Sequence, residues 1–395
     1  MPFIDLGMQP SGNIYPKSND PAESPRYPMR MSVCTESWIA QIDEIPMPSE
    51  MFNNHPYITG INKPVVEHME SMVDHICRKL RLKPGMVALD IGANDGTLLS
   101  FFKKKGLVGY GVDPGSITGK IARLSGHNVL EVFWNEETAQ ICKTLKVDPD
   151  IITATAVFYH TPDLQTFVRG IKTLLNTNSV FVAQCVYLKD LIENVQFDHF
   201  YHEHTCIYSV QSILMLLERN GMRLFDIEFT PIHGGSFIAY CCLAESNYIQ
   251  SDNVRNALEV EKNAGLHSID IYRNFKSRVD ANRNELVSIL REIKSAGKNV
   301  YALGAPLKGS TLLNYFGIDH NLVEAAVEVN PEKIGKFIPG VGIPIISEES
   351  IQSPPDYYLL LVWNFRDYFI KKYSNFIDNG GSIIVPNPTV QIVKK

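Results

Sequence analysis

Gly85-Met86-Val87-Ala88-Leu89-Asp90-Ile91-Gly92-Ala93-Asn94-Asp95-Gly96-Thr97 reads as a buried strand, a tight glycine turn and the start of a helix. Its apolar run suits a strand covered on both faces. Gly92 and Gly96 allow backbone to approach a ligand closely in the crevice above a sheet. Asp113 closes the next strand, Gly111-Val112-Asp113-Pro114, 23 residues after Asp90. An acid at that place suits a bidentate grip on ribose hydroxyls. The turn is not G-x-G-x-x-G, and Asp95 would repel a pyrophosphate at the helix N-terminus. An adenosine ligand without phosphates, such as S-adenosylmethionine, therefore fits better than NAD. Asp90, Gly92, Asn94, Gly96 and Asp113 are the candidate cofactor residues. The competing reading is a glycine turn with a structural acid.

On the N-terminal side, Val65, Val66, Met69, Met72, Val73, Ile76 and Leu80 recur at helical spacing. On the C-terminal side, strands are expected at 108–113, 151–154 and 179–183, alternating with helices. That alternation predicts a parallel, doubly wound sheet. Residues 1 to about 60 are rich in Pro, Asn, Ser and Met with little periodicity, and read as a small irregular segment. Residues 251–298 read as a charged helical connector. A second strand–turn–helix unit begins at Asn299-Val300-Tyr301-Ala302-Leu303-Gly304, with further strands expected at 322–329, 357–362 and 382–385. The expected organisation is α/β: an N-terminal segment (1–60), a Rossmann-like domain (61–250), the connector (251–298) and a second Rossmann-like domain (299–395).

Composition narrows the class. A chain of 395 residues exceeds one ordinary core. A net charge of −6 argues against nucleic acid as partner. No apolar run reaches the roughly 20 residues of a membrane span, and the N-terminus lacks the pattern of a signal peptide. Seven scattered cysteines read as reduced thiols of a cytoplasmic protein. The oligomeric state is not legible.

In Asp198-His199-Phe200-Tyr201-His202-Glu203-His204-Thr205, the seven residues from His199 pack three imidazoles, a carboxylate and a phenol. Such a cluster invites general-base chemistry. Two alternatives compete with it: a transition-metal site built on His199, His202, His204 and Glu203, and a structural polar network.

The Asp90–Leu99 stretch resembles the cofactor loop of the sugar C-methyltransferases, which act on nucleotide-linked 4-keto-deoxysugars. Further stretches resemble the same family in the same order. They are Tyr201–His204, Pro231-Ile232-His233-Gly234-Gly235-Ser236, Gly304–Tyr315, Asn330–Lys336 with Pro339-Gly340, and Trp363-Asn364. The resemblance covers nearly the whole chain. It implies a class I methyltransferase domain using S-adenosylmethionine, followed by a second Rossmann-like domain. It also implies His204 as the base that removes the proton beside a sugar ketone, with Glu203 and Tyr201 orienting it or handling the ketone oxygen. His160 matches a second active-site histidine, and Tyr57 an active-site tyrosine of the N-terminal lobe. His233 and Gly234 would approach the substrate, and Lys308, Asn330, Trp363 and Asn364 would help hold its nucleotide. From spacing alone, His233–Ser236 is equally a tight hairpin and Trp363 equally a core residue.

Two departures stand out. The family's N-terminal domain carries zinc on two Cys-x-x-Cys pairs, whereas here only Cys34 remains, in Cys34-Thr35-Glu36-Ser37. One thiolate cannot build a tetrahedral site, so no metal is expected. Gln184 stands where the family usually has an acid, a change that could alter the substrate. O- or N-methylation of a related sugar, or a non-catalytic nucleotide-sugar-binding homologue, are the alternatives these departures keep open.

Overall fold

A computed structural model describes every residue except 21, 22, 53, 54 and 56. Its centre is a seven-stranded sheet in the order Asn128–Leu130, Val108–Val112, Val87–Ile91, Ile151–Thr155, Val180–Val186, Ser236–Leu243, Met222–Thr230. The first five strands are parallel, and Ser236–Leu243 runs antiparallel to both of its neighbours. The glycine turn follows Val87–Ile91, beside the point where the strand order reverses, so the expected crevice lies above it.

The helix Lys63–Lys79 covers one face of this sheet because Val65, Met69, Met72, Val73 and Ile76 form a single buried stripe. The stripe meets Leu98, Phe101 and Phe102 of helix Thr97–Lys104 and Ala88 and Ile151 of the sheet. Burying each such side chain contributes about 2 kcal/mol. Pro64 sits in the first turn, where its missing N–H costs nothing, and Arg78 and Lys79 close the last turn.

The C-terminal sheet has six strands, in the order Ile345–Ser347, Ala325–Glu328, Val300–Leu303, Tyr357–Leu360, Ser382–Val385, Gln391–Val393. All are parallel except the last. Helices Asp252–Asn263 and Ile269–Ser295 link the two sheets. The second of these buries Tyr272, Phe275, Val279, Leu286, Leu290 and Ile293 along one side. No helix among the described residues is long and apolar enough to cross a membrane.

The N-terminal segment is not irregular, as its composition suggested. Pro2–Pro10, Arg26–Val33 and Ala40–Ile42 form an antiparallel sheet, and Cys206–Ile207 joins it as a fourth strand. Register shifts within the first pair blur the two-residue period, which is why the alternation was hard to read. The fourth strand directly follows the His-rich cluster. Phe200 packs edge-on against Phe3 of this sheet at 5.8 Å and Phe275 of the long helix at 5.9 Å. Three parts of the chain thus meet beneath the cluster.

Candidate functional site

At the glycine turn, Gly92 and Gly96 have φ of +74° and +81°. A Cβ on Gly92 would lie 2.7 Å from Val157 Cγ2. Asn94, also left-handed at φ +48°, donates its backbone N–H to Asp113 Oδ2 at 2.9 Å. Asp113 Oδ1 accepts from Gly115 N–H at 2.8 Å, and burial pushes this carboxyl up. Asp90 lies between strands: it accepts from the Thr153 hydroxyl at 2.7 Å, and burial raises it to about 7. It braces the turn from below, while Asn94 and Asp113 stand at the turn itself. Asp95 accepts from Gly60 N–H at 2.7 Å and from the Thr97 hydroxyl at 2.7 Å. Three carboxyl groups around one turn suit a ligand bearing a positive centre and hydroxyls, and do not suit a pyrophosphate. S-adenosylmethionine fits that description.

The His-rich cluster is a buried turn held from two sides. Thr205 N–H donates to the Tyr159 carbonyl at 2.9 Å, and Ile42 N–H of the N-terminal sheet donates to the Thr205 carbonyl at 3.1 Å. His204 Nδ1 lies 2.8 Å from the His199 carbonyl. A carbonyl only accepts, so Nδ1 carries the hydrogen and Nε2 holds the lone pair. Burial, with His160 and His199 nearby, holds His204 well below the ordinary histidine value.

Two of the other candidate residues pack on this ring. His160 stacks on it at 5.2 Å and is pushed down to about 4 by burial. Tyr201 packs on it at 4.0 Å between ring centres. Desolvation raises the Tyr201 phenol well above its usual value and the Tyr57 phenol to about 12, so both stay protonated and can donate. Glu203 turns to His55, with Oε2 3.0 Å from Nε2. His202 faces the N-terminal sheet instead, edge-on to Tyr27 at 5.5 Å. Among the described residues no three His, Cys, Asp or Glu side chains converge as metal ligands.

Lys308, Trp363 and Asn364 come together at the boundary with the second domain. The Lys308 ammonium bonds Asn364 Oδ1 and lies 4.3 Å over the Trp363 ring. Burial lowers it to about 8, opposed by the carboxylate of Asp198. Trp363 Nε1–H donates to Asp198 Oδ2 at 2.6 Å. His233, left-handed at φ +58°, is pushed down to about 3 by burial, with the Lys308 charge adding to the effect. Gly234 lies tight against Gln196, whose amide donates to its carbonyl at 2.6 Å. Asn330 accepts from Glu332 N–H at 2.9 Å within its own turn. Gln184 is buried and pairs with His68 at 2.6 Å.

His55, His68 and Phe52 stand in no local pattern, and Asp198, which opens the His-rich stretch, carried no role in it. Each works through a partner distant in the chain, as with the separation of 148 between His55 and Glu203.

Zinc does not fit the N-terminal sheet. Residues 1–52 contain one cysteine, Cys34, and no histidine, which is too few soft ligands for a tetrahedral site. The turn at Cys34 is closed by hydrogen bonds. Trp38 N–H donates to the Cys34 carbonyl at 2.8 Å, Cys34 N–H donates to the Ile39 carbonyl at 2.9 Å, and Ser37 hydrogen-bonds the thiol and lowers it.

Three family models match in order along the chain. Residues 1–52 match a zinc-binding domain, 65–226 a methyltransferase domain, and 231–388 a C-methyltransferase C-terminal domain. C-methyltransferase NovU of Streptomyces niveus is 29% identical over 392 residues, 99% of this chain and 93% of that protein. Magnesium protoporphyrin IX methyltransferase from Synechocystis PCC 6803 with bound SAM is 16% identical. Its TM-score is 0.34, with 45% of this chain and 80% of that chain covered. The plantazolicin methyltransferase BpumL with SAH is 14% identical at a TM-score of 0.36, covering 44% and 82%. With all three domains matched in order and near full-length similarity to NovU, the chain is an S-adenosylmethionine-dependent methyltransferase similar from end to end to a C-methyltransferase.

Proposed function

We propose that this enzyme methylates the carbon beside the ketone of a nucleotide-linked keto-deoxysugar, with His204 as the base. The observation that carries the reading is the state of His204. Its Nδ1–H is fixed by the His199 carbonyl, and its desolvated Nε2 is held ready to take a proton. Burial makes the ring a weak base, so the carbon acid must be activated by an adjacent carbonyl whose developing oxyanion finds donors. The protonated phenols of Tyr201 and Tyr57 are suited to that task. Asn94 and Asp113 are assigned to the adenosine part of the cofactor. When bound, S-adenosylmethionine supplies an electrophilic methyl group to the carbanion, and positioning then contributes much of the acceleration. The sugar nucleotide is inferred from the ordered motifs at 201–204, 231–236, 304–315, 330–340 and 363–364, with Lys308 as the cation whose charge acts on His199 and His233.

The test is incubation with keto-sugar nucleotides in deuterated water, with and without S-adenosylmethionine. Deuterium should enter the carbon beside the ketone, and His204→Ala should abolish that exchange. Methyl transfer to oxygen or nitrogen without exchange would overturn the carbon-acid route. Binding without transfer would point to a non-catalytic homologue.

A further inference from the structure

Glu203 is held from outside its own turn. His55 Nε2 lies 3.0 Å from Glu203 Oε2, while His55 Nδ1 accepts the Tyr57 backbone N–H at 3.1 Å. A nitrogen that accepts carries no proton, so the hydrogen is on Nε2 and His55 donates to the carboxylate. The rings continue the connection. His55 stacks on Phe52 at 5.9 Å and 27°, Phe52 on His160 at 5.5 Å and 22°, and His160 on His204 at 5.2 Å and 24°. Four rings thus run from His55 to His204 without a break.

The loop that carries His55 also grips the glycine turn. Thr59 N–H and hydroxyl donate to Asn94 Oδ1 at 2.9 and 3.1 Å, and Gly60 N–H donates to Asp95 Oδ2 at 2.7 Å. Asn94 Nδ2–H donates back to the Tyr57 carbonyl at 3.2 Å. The position of His55 is therefore tied to the cofactor turn on one side and to Glu203 on the other.

We propose that His55 is a positioning residue for methyl transfer: it holds the Glu203 carboxylate and, through Phe52 and His160, keeps the His204 ring in register with the cofactor turn. This rests on His204 as the base. It adds a part played by the N-terminal lobe, in which Glu203 is oriented by a side chain that need not touch the substrate.

Three variants and one spectroscopic arm test it. His55→Phe keeps a stacking ring but removes both nitrogens. It should lower kcat about 10- to 100-fold, the scale of a lost positioning contact, with KM for S-adenosylmethionine within about twofold. His55→Gln restores a donor near the Nε2 position and should recover most of the rate. In a Glu203→Gln background, His55→Phe should cost no further rate, because the two act as a unit. An unchanged kcat in His55→Phe, or full additivity with Glu203→Gln, overturns the proposal. Should His55→Phe fail to fold, the recovery in His55→Gln decides.

Nitrogen-15 spectra of the imidazoles in the wild-type protein, read without any substrate, should show His55 as the Nε2–H form, with that signal shifting in Glu203→Gln. A Nδ1–H form, or a signal indifferent to Glu203, overturns the proposal even if keto-sugar nucleotides prove not to be substrates. Conversely, a wild-type enzyme inert toward every keto-sugar nucleotide sinks the sugar reading and leaves this spectrum to decide the role of His55.

Discussion

His160 and His233 tie the acid stability of the fold to the dryness of its pocket. Burial pushes His160 down to about 4 and His233 to about 3, against 6.5 for a free histidine. Both folded values lie below the unfolded one. Between them the unfolded chain binds the extra proton, so stability falls as pH falls through that window. From pH 7 to pH 5 the loss is about 2 kcal/mol per imidazole, at 1.36 kcal/mol per unit. Two carboxyls act in the opposite direction. Burial raises Asp90 to about 7 and Asp198 to about 6, so the native fold takes up their protons first and gains stability over the same interval. Their contributions are about 2 and about 1 kcal/mol.

These terms nearly cancel, and the wild-type curve by itself decides little. The difference between wild type and His160→Asn isolates one imidazole, because the variant keeps polarity and loses the titration. In urea unfolding at pH 7 and pH 5, the stability gap between the two proteins should narrow by about 2 kcal/mol at the lower pH. A gap constant to within about 0.5 kcal/mol would show that His160 protonates as readily in the fold as in the open chain. The pocket would then be wet, and the argument for an unprotonated His204 would fail with it.

Asp198→Ala removes the acceptor of the Trp363 indole and leaves the Lys308 ammonium buried without its carboxylate. It should cost about 3–5 kcal/mol in urea unfolding, and a loss below about 1 kcal/mol would contradict the anchoring role. Gly92→Ala places a methyl 2.7 Å from Val157 Cγ2 at φ +74°. It should cost about 1–3 kcal/mol and weaken S-adenosylhomocysteine binding in calorimetry. Val157→Ala should return only the steric part, and a Gly92→Ala protein as stable as wild type would refute the close approach. Prolonged dialysis against a chelator should leave Tm unchanged, since residues 1–52 hold a single cysteine and no histidine. A fall of several degrees would reveal a metal that those residues cannot explain.

The sequence was most legible where a local pattern carried the structure. The Val65–Ile76 stripe, the Val87–Ile91 strand and the glycine turn declare themselves within a dozen residues each. The N-terminal sheet did not, because bulges shift its register and its fourth strand, Cys206–Ile207, lies 164 residues beyond Ile42. The hairpin Met222–Thr230 with Ser236–Leu243 was visible only as a glycine turn of undecided purpose. Within the site, the pattern at Tyr201–His204 was readable, yet it did not tell which histidine faces which way. That depends on a carbonyl at His199 and on Tyr27 of another sheet. The structure brings Lys308, Trp363 and Asn364 together, but the acid that opposes the Lys308 charge, Asp198, comes from the other domain.

The two Rossmann-like domains begin with the same device and put it to different use. In each, an acid at the end of the second strand accepts a backbone N–H from the turn after the first: Asp113 from Asn94 at 2.9 Å, Glu328 from Ala305 at 3.1 Å. Around the first turn the remaining side chains are the carboxyls Asp90 and Asp95, braced by Thr153, Thr97 and Gly60. Around the second, Lys333 donates to the Ala305 carbonyl at 2.9 Å, lies 3.7 Å from Glu328 and sits 5.0 Å over the ring of Tyr15. The Tyr15 hydroxyl donates to the same carbonyl at 2.8 Å. A buried ammonium is tolerable only when it is paired and hydrogen-bonded, and here an acid, a carbonyl and an aromatic face meet that need. These contacts pin the N-terminal lobe to the C-terminal domain at the second turn. Lys308, which leaves the same turn in the other direction, reaches Asn364, Trp363 and the charge of Asp198. Through Trp363 and Asn387 the second domain therefore holds Asp198, the residue that leads into the His-rich turn.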